Sequence, residues 1–138
     1  MILLEFGANN SFFTLEEKRT INNAEYIFIF VNDNTGKKVA CTATDISTDI
    51  TRYDKFVLTV ASAAIPASGY ITLDDYGFYH YYVYETVDAS TFDYANVDTL
   101  DLRTMTGEVE SGKMFYKTTE PTHTYYKDTR SSIKTYGE

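Results

Sequence analysis

Tryptophan is absent from this chain of 138 residues, cysteine occurs once, and proline and histidine occur twice each. The lone cysteine, Cys41, cannot close an intramolecular disulfide, so no oxidising compartment is implied. Positive charge is scarce, and the formal net charge is −8. A surface built to hold phosphates needs the opposite sign, which argues against direct, sequence-specific nucleic-acid binding. No apolar run nears the ~20 residues of a membrane-spanning helix. Met1-Ile2-Leu3-Leu4-Glu5 has no basic region and soon turns polar, unlike a secretion signal. The expectation is a soluble product of a reducing cytoplasm, with no membrane partner.

The chain is rich in aromatic residues, with 13 Tyr and 9 Phe. Together with many Thr, Ile and Val, these favour strands over helices. The length suits one compact domain, and at this size about two-thirds of the unfolded surface can be buried.

The most aromatic stretch is Asp75-Tyr76-Gly77-Phe78-Tyr79-His80-Tyr81-Tyr82-Val83-Tyr84-Glu85. Read as a strand, it places Phe78, His80, Tyr82 and Tyr84 on one face and Tyr79, Tyr81 and Val83 on the other. A strand at a sandwich surface usually turns polar residues outward. Here both faces are aromatic, so the second face should meet something other than water. Either a partner covers it, or the segment from Thr86 to Gly107 folds back over it.

The other elements follow from alternation and turn residues. Ile2 to Phe6 reads as a short strand, Gly7 to Asn10 as a turn, and Ser11 to Glu17 as a second strand with Phe13 and Leu15 on one face. Ala24 to Val31 is apolar on both faces, which predicts a central, well-covered strand. Asn32 to Gly36 predicts a hairpin loop with Gly36 in the left-handed position, and Lys37 to Thr44 the return strand with Val39 and Cys41 inward. Lys55 to Val60 alternates cleanly, Ala61 to Ser68 is a loop, and Gly69 to Leu73 is another strand. Glu108 to Lys117 reads as the last strand, with Gly112 as a candidate bulge. About seven or eight short strands at regular spacing form a β-sandwich signature.

Thr86 to Gly107 is long, polar and acidic, without alternation. It reads as a long loop, a short helix near Asn96 to Arg103, or an arm. The predicted organisation is a β-sandwich domain over 1–117, with 86–107 as loop or insertion, and a C-terminal arm over 118–138. The arm lacks a core pattern, and its Tyr125 and Tyr126 are candidate contacts with a neighbour.

Catalytic chemistry finds little support. His80 has only aromatic neighbours on its face and His123 lies in the arm, so no three or four ligands converge on a metal. Cys41 reads as a small buried residue rather than a nucleophile. Asp74-Asp75, Asp45/Asp49 and Asp98/Asp101 are acidic pairs, but acid–base work needs two carboxylates across a cleft, and acidic turns are common. Asn32 to Gly36 resembles the start of a calcium loop, yet Ala43 falls near the closing Glu position, so an EF-hand reading fails. No catalytic, cofactor or metal residue is assigned. The outward set Phe78, His80, Tyr82 and Tyr84 is the main interface candidate, since Tyr buries large area and keeps a hydroxyl to offer.

Asp75-x-Gly77-x-Tyr79-x-Tyr81 resembles the sixth-strand pattern of immunoglobulin-like domains, Asp-x-Gly-x-Tyr-x-Cys. The resemblance implies a tyrosine corner at Tyr79, with Tyr81 where antibody domains carry a half-cystine. It implies an all-β, immunoglobulin-like sandwich without the disulfide and core Trp of antibody domains. A second resemblance spans roughly Ala24 to Tyr116. Asn32-Asp33 before a Lys-x-Val strand, Thr51-Arg52-Tyr53-Asp54-Lys55-Phe56, Gly77 to Glu85, and Glu110-Ser111-Gly112-Lys113-Met114 occur in an order similar to short virion proteins of tailed phages infecting Bacteroidetes, including the crAss-like group. It implies a non-enzymatic structural protein, made in the host cytoplasm and resident in the virion. Its expected partners are copies of itself and other virion proteins, in a neck or tail ring. The alternatives are a capsid-decorating protein and a carbohydrate- or receptor-binding module.

Overall fold

A computed structural model describes residues 1–15, 18–22, 24–47 and 53–117. The fold is all-β, and these residues form eight strands in two mixed sheets. They are β1 (Ile2–Leu4), β2 (Gly7–Phe13), β3 (Glu25–Asn32), β4 (Lys38–Thr42), β5 (Asp54–Val60), β6 (Tyr70–Ile71), β7 (Gly77–Thr86) and β8 (Glu108–Tyr116). One sheet has the order β1-β8-β7-β3-β4 and the other β2-β5-β6. β1 runs parallel to β8 and β6 parallel to β5, while the remaining pairs are antiparallel.

The sheets face each other across one apolar core. Strict alternation builds it: Phe56, Leu58 and Val60 of β5 are buried, while Lys55, Val57 and Thr59 between them are partly exposed. Phe13 and Leu15 reach in beside β5, and Tyr26, Phe28, Phe30, Tyr79, Tyr81 and Val83 come from the opposing sheet. Phe28 and Phe56 meet edge-on at 4.9 Å, and Phe13 contacts Phe28, Phe56 and Tyr81. Removing one such ring costs about 3–5 kcal/mol, because the lost contacts leave a cavity.

β3 lies inside its sheet and is covered on both faces. Tyr26, Phe28 and Phe30 enter the main core, while Ile27 and Ile29 enter a second cluster on the outer face. The β3–β4 hairpin is closed by Asn32, whose side-chain oxygen accepts from Asn34 N at 2.8 Å and Thr35 N at 3.0 Å. Gly36 ends the loop at φ 76, the left-handed region that only glycine adopts without strain.

Two expectations are corrected. Gly7 to Asn10 is not a turn, since β2 already starts at Gly7. The bend is confined to Glu5–Phe6, because the Asn9 side chain accepts from Glu5 N at 2.9 Å and donates to Glu5 O at 2.8 Å. Nor is Gly112 the bulge. Pairing slips where Val83 faces Glu110 and Tyr84 faces Glu108, leaving Val109 as the extra residue. Gly112 instead makes room for Tyr81 across the ladder, where a Cβ would lie 2.9 Å from the hydroxyl and 3.1 Å from the ring.

The segment between β7 and β8 is a roof rather than an open loop or a single helix. It forms three 3₁₀ turns, Ala89–Thr91, Tyr94–Thr99 and Leu102–Thr104. Its acidic residues start or anchor these turns. Asp88 accepts from Ser90 N, Asp101 from Arg103 N, and Asp98 from Lys38 N of β4 at 2.9 Å.

Candidate interaction surface

The aromatic strand β7 takes the predicted orientation. Tyr79, Tyr81 and Val83 point into the core between the sheets. The Tyr79 hydroxyl donates to the Asp75 carbonyl at 2.8 Å, bracing the corner that leads into β7. Between them Gly77 sits at φ 127, a backbone state closed to residues with a Cβ. The Tyr81 hydroxyl donates to Glu110 at 2.8 Å, and Lys18 pairs with the other oxygen of that carboxylate.

The outward set divides into two regions. Tyr84 lies only 3% exposed beneath the roof, with Ile27, Ile29, Ala40, Ala89 and Val97. Burial pushes its hydroxyl up to about 12, and nearby Glu108 adds to the effect. Tyr82 packs against the same cluster and is partly buried. As an interface residue Tyr84 is therefore corrected: the chain's own 89–105 segment covers it. That segment looked structureless because its apolar residues recur every three positions, as in Ala89–Phe92, Tyr94–Val97–Leu100 and Leu102–Met105. All seven pack on the roofed cluster. In a 3₁₀ turn, residues three apart eclipse one another and form one face.

The roof stops short of the other end of the strand. Phe78 is 49% exposed, and in register with it stand Phe115 of β8 and Leu3 of β1, the latter 54% exposed. The Phe78 and Phe115 rings lie 4.8 Å apart. Leu3, Phe115 and Phe78 thus form an apolar row across three strands, at the edge where β1 ends the sheet. A polar border flanks it. Lys113 sits 5.9 Å over the Phe78 ring and bonds to Asp33, whose other oxygen lies 3.3 Å from His80 Nδ1. The Lys113 ammonium holds the Asp33 carboxyl below its ordinary value; slight burial opposes this and His80 assists. His80 also stacks on Tyr82 at 6.1 Å, joining the border to the roofed region.

Leu3, Phe115, Asp33 and Lys113 escaped the sequence reading. They come from three elements, β1, β8 and the β3–β4 hairpin loop, and only the pairing register brings them together. Tyr125 and Tyr126, like His123 and Asp49, lie outside the described residues.

The other candidates for chemistry are engaged locally. Cys41 is fully buried, and burial pushes its thiol up to about 12, far from a reactive thiolate. Asp74 pairs with Lys37, while Asp101 is held by Arg103. Asp45 accepts from Ser47 N at 2.9 Å and Lys55 N at 3.1 Å. Burial opposes its charge, but hydrogen bonding with Asp54 and the bonds donated by Ser47 and Lys55 outweigh that and lower its pKa. Asp54, 1% exposed, accepts from Leu15 N at 2.6 Å. These two carboxylates line a cleft of about 670 Å³ with Arg19, Glu25, Tyr26 and Tyr94. Among the described residues no three His, Cys, Asp or Glu side chains gather as metal ligands, and no helix is long and apolar enough to cross a membrane.

Comparison of the chain with protein-family models, with curated proteins and with solved structures returned no match.

Proposed function

We propose that this chain is a non-enzymatic structural component of a tailed-phage virion, a multi-copy neck or tail ring protein built on an immunoglobulin-like sandwich. The observation that carries the reading is the apolar row Leu3–Phe115–Phe78, with Leu3 and Phe78 exposed and Phe115 half-buried between them, on a sheet face whose other end is roofed. Exposed apolar surface rimmed by polar groups is the usual mark of a protein–protein contact. Closed symmetry lets one such patch serve every copy in a ring.

Three features favour the immunoglobulin-like description. β8-β7-β3-β4 stand in the order of the G, F, C and C′ strands, and β2 pairs antiparallel with β5 as B pairs with E. The Tyr79–Asp75 bond occupies the place of the tyrosine corner. β6 departs from the plan, since it has two residues and runs parallel to β5. The order of motifs shared with short virion proteins supplies the setting, and the acidic balance suits a part that must not adhere to packaged nucleic acid.

The test is the solution mass of the full chain by light scattering across a concentration series, beside Phe78→Ser. A discrete multiple that dissociates in Phe78→Ser is the expected result. A strict monomer at every concentration, with retention on a glycan column lost in Phe78→Ser, would overturn the ring reading in favour of a carbohydrate-binding module.

A further inference from the structure

β2 is the edge of its sheet, and the hydrogen bonds on β5 show which of its groups are free. Thr59 N donates to Gly69 O, Ala61 N to Ile71 O, and Lys55 O accepts from Ile46 N. The odd-numbered residues of β5 therefore turn their backbone groups away from β2. In an antiparallel ladder, facing residues share that orientation. Ala8, Asn10 and Phe12 face Thr59, Val57 and Lys55, so they present their N–H and C=O groups at the open edge. Among the described residues no backbone bond outside the β2–β5 ladder reaches them.

Natural sheets protect such edges with lysine, proline, inward charge or a covering segment. Gly7-Ala8-Asn9-Asn10-Ser11-Phe12-Phe13 has no charge and no proline. Phe6, just ahead of the strand, and Phe12, the last of the three outward-facing residues, stand more than half exposed, at 53% and 55%.

The chain itself points to an occupant. Lys117 N donates to Leu4 O at 3.0 Å, and Lys117 Nζ pairs with Glu5 at 3.1 Å. The last described residue is thus tied to the two residues just ahead of the Phe6–Gly7 entrance to β2. Phe115, two positions earlier, belongs to the apolar row, so the described chain ends beside the surface where a second copy would sit. The composition of residues 118–138 suits a strand, with Thr122, Thr124, Tyr125 and Tyr126 after Pro121, then Ile133, Thr135 and Tyr136. Lys127, Arg130 and Lys134 balance Glu120, Asp128 and Glu138, so this stretch adds no charge to an acidic surface. A seven-residue edge is roughly 23 Å long. The residues after Pro121 exceed that length more than twofold when extended, at about 3.3 Å each.

We propose that the free edge of β2 accepts residues 118–138 of a neighbouring copy as an added strand, so that copies are linked by backbone hydrogen bonds as well as by the apolar row. This rests on the multi-copy reading above. Three N–H and three C=O groups on β2 supply the ladder, and Phe12 and Phe6 flank the incoming strand.

The experiment uses the full chain, mixed from isotopically heavy and light copies and treated with an amine cross-linker. Lys55 lies beside Phe12, with its ammonium 5.9 Å from the ring centre, and is the native reporter for the edge. The expected result is heavy–light cross-links from Lys55 to Lys127 or Lys134. Amide exchange at Ala8, Asn10 and Phe12 should slow by about a hundredfold at assembling concentrations. Asn10→Pro should abolish both, because it removes an outward N–H without touching the β5 ladder. Asn10→Lys places a charge at the same edge and serves if Asn10→Pro perturbs folding. Free exchange at these three amides in a particle of multiple mass would overturn the strand addition and leave the ring reading standing. Cross-links confined within single copies would overturn the exchange between copies. A monomer at every concentration would overturn the ring reading first, and this proposal with it.

Discussion

Tyr84 and Phe78 are aromatic residues on the outward face of one strand, yet Tyr84 is 3% exposed and Phe78 49%. Around Tyr84 the 89–105 segment supplies a second core, anchored by Glu25 accepting from Ala89 N at 2.7 Å and by Asp98 accepting from Lys38 N. Around Phe78 nothing described closes over the sheet, and the nearest groups are the Lys113–Asp33–His80 border. The pattern of a strand specifies which face a side chain takes, but not what lies above that face. An aromatic face is thus evidence of a cover, and the cover here is partly the chain itself.

The contrast can be broken from the roofed side with the largest effect. Tyr84→Ala should destabilise the fold by about 3–5 kcal/mol in urea unfolding. Phe78→Ser should cost only about 1 kcal/mol of monomer stability, since its ring is half exposed and packs on the half-buried Phe115. Equal losses for both would mean that the bare row is core. Next in size is Gly112→Val, which drives a side chain into Tyr81 and should cost about 1–3 kcal/mol. A variant as stable as the parent would show that Tyr81 is free to move aside.

Smaller effects come from titration. Glu85, at the roofed end of β7, accepts from Thr20 N, Thr20 Oγ1 and Ile21 N at 2.8, 2.8 and 2.9 Å. Burial works against its charge, but these bonds outweigh it, and the carboxyl lies below its ordinary 4.5. A lowered carboxyl stabilises the fold fully above that ordinary value and loses its contribution as pH falls through the folded value. Glu85→Gln should therefore cost about 1–2 kcal/mol at neutral pH and flatten the acid limb of the stability curve. Tyr84 shows the opposite sign. Its raised hydroxyl favours the fold below pH 10, and that contribution fades as pH rises towards about 12. Tyr84→Phe should remove part of the alkaline loss, as melting temperature against pH would show. At the bare end the smallest effect is expected: Lys113→Ala should leave melting nearly unchanged, as exposed ion pairs contribute little.

Much of the fold was legible along the chain. Phe56, Leu58 and Val60 alternate without interruption, and β3 is apolar on both sides, so the placement of each in a sheet followed from period two alone. The corner at Tyr79 was legible only through the resemblance of Asp75-x-Gly77-x-Tyr79-x-Tyr81 to the sixth strand of immunoglobulin-like domains. That Thr86 to Gly107 folds back over the aromatic face was one of two alternatives, but its turns were not legible, because their period of three falls between those of strand and helix and their aspartates read as solvent-facing. Gly112 was misread as a bulge because its reason is a ring on another strand.

Sequence by itself determined most of the strands, the inward and outward faces of β3, β5 and β7, the hairpin at Asn32 to Gly36 and the burial of Cys41. Each follows from steric and solvation preferences acting over a few neighbouring residues. Only the tertiary structure decided which aromatic residues are covered, that Leu3, Phe115 and Phe78 align, and that among the described residues β2 is paired on one side alone. These depend on register and strand order, where residues up to more than a hundred positions apart meet and no local preference applies.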